Sequence, residues 1–83
     1  MTDVATDELK GFIDVEAQKV ISTESRSIES SLTRIINKAD ELGVIDHKQG
    51  FVNKVIELQN ASFHEQLGPQ GYARKLRSLK EEL

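Results

Sequence analysis

The stretch that decides the fold is ISTESRSIESSLTRIINKADEL, residues 21–42. Apolar residues recur along it every seven residues, with two more at intermediate positions: Ile21, Ile28, Leu32, Ile35, Ala39 and Leu42. This spacing places one apolar face on an α-helix. Such a face must be buried against another surface. The pattern therefore predicts a protein that works by helix packing rather than by catalysis.

The composition favours a single all-α domain over residues 1–83. The chain is 37% hydrophobic and 30% charged, and it contains no cysteine, which excludes disulfides and thiolate chemistry. A chain of this length buries only about 60–65% of its unfolded surface, so association between subunits would add needed stability. We expect a helical hairpin with a short third C-terminal helix, arranged as a three-helix or a dimeric bundle.

The first helix is expected to be long. After a frayed leader at 1–6, with Thr6 or Asp7 as the N-cap, we predict one long or kinked helix over 7–42. The apolar faces of its two halves differ in direction by about 100°, and the drift of a heptad repeat explains about 60° of that difference. Seven of the twelve residues in 22–33 are Ser or Thr. A break at 22–26 therefore stays open as an alternative.

Turn residues divide the rest of the chain. Gly43 follows the helix where a left-handed residue is expected, and it begins a loop at 43–50. Asp46 is the predicted N-cap of a helix over 47–67, with Gln49 at the capping-box position. Gly-Pro-Gln-Gly at 68–71 ends that helix, and a short helix follows at 72–82.

Each of these helices is predicted to bury one face. The face of the first half carries Leu9, Phe12, Ile13, Glu16 and Val20. The face of the 47–67 helix carries Val52, Val55, Ile56, Gln59, Phe63 and Leu67. The face of the last helix carries Tyr72, Leu76, Leu79 and Leu83.

The charge of the chain argues against general affinity for nucleic acid. The net charge is −3, and residues 1–25 carry six acids against two bases. Neutralisation of phosphates dominates nucleic-acid affinity, so an acidic end opposes it. The N-terminus is acidic and lacks an apolar segment, so we expect no signal peptide and a cytoplasmic location. No apolar run is long enough to span a membrane.

The residues that carry chemistry form no catalytic constellation. His47 and His64 lie about 25 Å of helix apart, which does not fit a single-chain metal site. Neighbouring carboxylates, such as Asp14 with Glu16, lie on stretches dense with charge and are interpreted as solvated surface. We predict no enzyme activity, no catalytic residues, no cofactor and no metal.

The leading functional hypothesis is a non-enzymatic protein–protein interaction module, such as an adaptor, a chaperone or an inhibitory subunit, that also self-associates. The hairpin leaves the N-terminal stripe of the first helix uncovered, and either the C-terminal helix or a second subunit could cover it. The predicted contacts for self-association are Leu9, Phe12, Ile13, Val20, Ile28 and Leu32. The alternative is a small nucleic-acid-associated regulator that uses the basic residues of the last helix: Arg74, Lys75, Arg77 and Lys80.

Overall fold

The computed structural model describes residues 4–24, 28–61 and 68–83. Within these ranges the chain forms helices joined by turns, without a strand, which confirms the all-α prediction. The elements are α1 (Val4–Ser22), α2 (Glu29–Glu41), α3 (Gln49–Ala61), α4 (Pro69–Ser78) and a 3₁₀ turn (Leu79–Glu82). The described residues therefore form four α-helices instead of the three that were expected, because the first predicted helix is divided in two.

The predicted long helix over 7–42 is wrong, and the open alternative of a break is the one observed. Arg34 Nη2 lies 2.8 Å from Glu16 Oε2, whereas a continuous helix would hold these residues about 27 Å apart. Lys38 Nζ also lies 3.6 Å from Glu8 Oε1, so α2 runs antiparallel to α1.

The Ser/Thr-rich stretch supplies the physical reason for the break. The hydroxyl of Thr23 donates to the carbonyl of Lys19 at 2.7 Å, a local bond that competes with helix continuation. Glu24 then adopts a left-handed backbone with φ of 51°, which ends α1. The offset between the two apolar faces therefore reflects two helices that each turn toward one core, and not a supercoil.

The end of α2 follows the prediction. Gly43 has φ of 74°, the left-handed conformation that glycine adopts without strain. Its N–H donates to the carbonyl of Asp40 at 3.0 Å, and the N–H of Val44 donates to that of Ala39 at 2.9 Å. These two bonds form a Schellman motif. The motif ends α2, and the connection at 42–48 leads to α3.

Three predicted helix starts are wrong by a few residues. α1 begins at Val4, so Thr6 and Asp7 lie inside the helix and the leader at 1–6 is shorter than expected. α3 begins at Gln49 rather than at 47, so Asp46 precedes its cap position. α4 begins at Pro69 rather than at 72, because proline is favoured at the first helical position, where no N–H is needed. The predicted end of the third segment, at 67, lies outside the described residues.

α4 packs against α1, and this contact is the most extensive between any two helices. α2 packs on α1 and on α3, and the 3₁₀ turn closes the bundle against α3. One continuous core results. The prediction for α4 is confirmed, because Tyr72, Leu76 and Leu79 are buried and Leu83 is partly buried.

The predicted face of α3 is rotated by about one residue from the observed one. Phe51, Val55 and Leu58 are buried, whereas Ile56 is 49% exposed and Val52 is only partly buried. Apolar residues occupy both faces of this helix, so periodicity alone did not distinguish them. Phe63 and Leu67, also assigned to this face, lie outside the described residues.

Two glycines test the helix assignments in opposite directions. A Cβ at Gly11, inside α1, would meet nothing within 4 Å. We expect Gly11→Ala to raise the free energy of unfolding by up to about 1 kcal/mol, because alanine favours helix. Gly43→Ala should lower it by about 1 kcal/mol, because an L side chain is strained at this φ. Urea denaturation followed by far-ultraviolet circular dichroism measures both. A destabilising Gly11→Ala would contradict the open space beside α1.

Candidate functional site

The apolar residues predicted to bind a partner lie inside the domain. Five of the six are 2% exposed or less, namely Leu9, Ile13, Val20, Ile28 and Leu32. The sixth, Phe12, is partly buried. Of the two covers left open for this face, the C-terminal helix is the one observed, because α4, together with α2, covers α1 within the same chain. A partner protein cannot reach these side chains while the domain stays folded. In the described chain the large apolar side chains that remain exposed are Val4, Val15 and Ile56.

A buried ion pair joins α1 to α2. Glu16 is 1% exposed, and its two carboxylate oxygens accept hydrogen bonds from Arg34 Nε at 3.0 and 3.1 Å and from Arg34 Nη2 at 2.8 Å. The hydrogen bond to Glu16 raises the pKa of Arg34; partial burial opposes this rise and the carboxylate charge adds to it. Arg34 therefore stays cationic at every pH relevant to folding.

The interpretation of Glu16 as a solvated surface acid is wrong. The sequence contained a signal, because Glu16 falls on the same helical face as Ile13 and Val20. A charge on an apolar stripe is buried with the stripe, and a buried carboxylate requires a partner. The partner, Arg34, could not be identified while α1 and α2 were taken as one helix.

The basic residues of α4 and the 3₁₀ turn divide into two groups. Arg77 and Lys80 face α1: Lys80 Nζ lies 2.7 Å from Asp14 Oδ1, and Arg77 Nε lies 3.8 Å from the same atom. At about 100° per residue, Arg77 lies about 60° from Arg74 and about 160° from Lys75 around α4. The apolar stripe of α4 lies between the two groups, so one group is held by α1 and the other turns toward α3.

A surface depression of about 300 Å³ lies between α3 and α4. Its lining residues are Lys54, Gly71, Arg74, Lys75 and Ser78. We call Lys54, Arg74 and Lys75 the cationic face. No acid is among the described residues that line the depression; the nearby carboxylate of Glu57 lies 3.9 Å from Lys54 Nζ. Three cations from two helices thus border one small concavity.

Sequence analysis identified two of the three residues of this face. Arg74 and Lys75 were among the predicted basic contacts, but Arg77 and Lys80 pair with Asp14 instead. Lys54 was missed. It belongs to a different helix, and no local spacing relates it to α4, so only the tertiary contact could have identified it.

The part of the chain that the structure describes contains no metal site built from histidines. His47 is exposed in the connection between α2 and α3, and His64 lies outside the described residues. Across residues 4–24, 28–61 and 68–83, no three His, Cys, Asp or Glu side chains are placed to hold a metal ion. In the same ranges no helix has the length and apolar character needed to cross a membrane.

Comparison with known proteins found no relative from which a function could be inferred. No family model matches the sequence, and neither a curated protein nor a solved structure is significantly similar to it. A functional argument therefore depends on the surface of this chain alone.

The ion pair between Glu16 and Arg34 leads to a prediction about stability. Arg34→Met should lower the free energy of unfolding by about 3 kcal/mol, because among the described residues it leaves only the exposed Lys19, with its Nζ 3.9 Å away, beside the buried carboxylate of Glu16. That figure is at the low end for buried pairs, since Arg34 is 49% exposed. The double variant Glu16→Leu with Arg34→Met should recover most of the loss, because apolar groups replace both charges.

A double-mutant cycle by urea denaturation measures this coupling. Lys38→Met, which removes a more exposed contact between α1 and α2, is the control and should cost under about 1 kcal/mol. Additive losses in the double variant would contradict the pairing of Glu16 with Arg34.

Proposed function

We propose that this protein is a non-enzymatic interaction module that binds an acidic surface of a partner protein through its cationic face. The observation that carries the proposal is the convergence of Lys54, Arg74 and Lys75 on one depression, with no acid among the described residues of its lining. The proposal keeps the class of function expected from the sequence. It moves the binding surface from the apolar stripe of residues 9–32 to the side of α4 that lies beside α3.

Two physical arguments support this surface. Arginine offers a planar fork of donors that matches a carboxylate, and lysine adds charge at the rim. Charges of this kind accelerate encounter with an acidic partner and are sensitive to salt. Asp14 neutralises part of the charge of Arg77 in α4 and of Lys80 in the 3₁₀ turn, and Glu57 does the same for Lys54.

The rigid support of the face also favours recognition. Arg74 and Lys75 lie one turn or less from Tyr72 and Leu76, which are buried in the core. Side chains carried by a packed helix lose less conformational freedom on binding than side chains carried by a loop. The face therefore presents its charges at defined positions.

Charge reversal on the cationic face tests the proposal. We expect Arg74→Glu with Lys75→Glu to weaken binding of a fluorescein-labelled, Asp- and Glu-rich peptide about tenfold, measured by fluorescence anisotropy at low salt. The matched control is Lys10→Glu with Lys48→Glu, which makes the same change in net charge away from the face. The control should weaken binding much less. Equal losses in both variants would show an effect of net charge alone and would contradict the proposal.

The same assay includes labelled duplex DNA and single-stranded RNA. Nucleic-acid association was the alternative predicted from Arg74, Lys75, Arg77 and Lys80. Tighter binding of either nucleic acid than of the acidic peptide, with a steep salt dependence, would favour that alternative.

A further inference from the structure

We infer that the outer face of α1 is a self-association surface, on which two copies of this chain pair antiparallel across a twofold axis. This outer α1 face is defined by Val4, Gly11 and Val15. It belongs to a different helix from the residues of the cationic face, so the pairing goes beyond the proposed function and does not depend on it.

Exposed apolar side chains gather on the outer α1 face. In the described chain three large apolar side chains remain exposed, and two of them, Val4 at 77% and Val15 at 52%, lie on α1. At about 100° per residue, these two valines lie within about 20° of one another around the helix. The buried Leu9 and Ile13 lie on roughly the opposite side. The fold of a single chain therefore leaves both valines in water.

Gly11 provides a recess beside the valines. It is exposed and lies on the same side of α1, one helical turn before Val15. Apart from its immediate neighbours along α1, a Cβ at Gly11 would meet nothing among the described residues within 4 Å. A glycine allows another surface to approach the backbone closely. In an antiparallel pair with its twofold axis at the level of Ile13, each Val15 would pack onto the Gly11 of the other copy.

The charges beside this face fit the same antiparallel register. Glu8 and Lys19 lie about 20° apart around α1, on one side of the face, and their side chains are 53% and 61% exposed. With the axis at the level of Ile13, Lys19 of one copy comes within one residue, about 1.5 Å along the helix, of Glu8 of the other. Lys38 and Glu16 already approach these two charges within the chain, at 3.6 and 3.9 Å. The contacts between copies therefore extend existing ion pairs, and they favour this register over others.

A second copy is the partner that this pattern fits, because the face is self-complementary. An exposed valine and a recess, and an acid and a base, lie at matching distances from one point on the helix. The contact involves one helix of 19 residues, about 28 Å long, so the interface belongs to the small and weak class. We expect a dimer with a Kd on the order of 0.1 mM.

Sedimentation equilibrium from about 10 µM to about 1 mM tests the pairing. Val15→Asp should weaken the dimer at least about tenfold. Gly11→Leu should also weaken it although it adds apolar surface, because the new side chain fills the recess. Ile56→Asp is the matched control, since Ile56 is 49% exposed but lies on α3, and it should leave the Kd within about twofold. Circular dichroism verifies that each variant is folded.

A charge exchange tests the antiparallel register. Glu8→Lys and Lys19→Glu should each weaken association about fivefold, because each variant places like charges opposite one another. An equimolar mixture of the two variants should associate more tightly than either variant alone, since every lysine then faces a glutamate. A mixture no tighter than the single variants would overturn the inference. So would a monomer across the whole concentration range, equal losses in Val15→Asp and Ile56→Asp, or tighter association of Gly11→Leu.

Discussion

A buried carboxylate constrains the arrangement of the whole bundle. Glu16 lies on the face of α1 that enters the core, and moving an unpaired charge out of water costs several kcal/mol even after relaxation. Lys19, on the same helix, approaches this carboxylate only to 3.9 Å, so burial of the apolar face of α1 favours a packing that brings a closer cation to Glu16. Arg34 supplies this cation when α2 folds back antiparallel, with the two helices in one register. Sliding of α2 along α1 would leave Lys19 as the only described cation beside the carboxylate, so the ion pair favours this register.

The remaining contacts follow from that register. With α2 on one side of α1, α4 covers the other side, and the 3₁₀ turn reaches back to α3. The carboxylate of Glu82 comes so close to Gly50 that a Cβ there would lie 2.9 Å from its oxygen. This places negative charge beside the first turn of α3, where the helix dipole favours it. The pair between Asp14 and Lys80 holds the other end of the same segment on α1.

Sequence analysis recovered what local chemistry determines. The left-handed position of Gly43 and the buried face of α4 both follow from rules that act within one helix or one turn. The division of the first helix did not, because Ser and Thr are compatible with either a helix or its end until packing decides. The rotation of α3 has the same origin: Val52 and Ile56 on one face competed with Phe51 and Val55 on the other. Lys54 joined the cationic face only through the contact of α3 with α4.

The bundle also explains why the predicted binding surface moved. A stripe of large apolar residues in a short chain can serve a partner or the chain itself, and periodicity does not distinguish these uses. Here the chain itself buries the stripe, because α4 supplies the apolar surface that a second subunit could otherwise have supplied. The basic residues that remain on the surface are unevenly placed, because Arg77 and Lys80 lie beside Asp14 whereas Arg74 and Lys75 border the depression.

The central claim is that α4 covers α1 within a single chain. Isotope-filtered nuclear Overhauser spectroscopy on an equimolar mixture of ¹³C-labelled and unlabelled protein tests it most directly. The account predicts contacts between the methyl groups of α1 and α4 in the uniformly labelled sample, and none of these contacts in the spectrum filtered for pairs between chains. The appearance of α1–α4 contacts in the filtered spectrum would contradict it, because a second subunit would then cover the stripe.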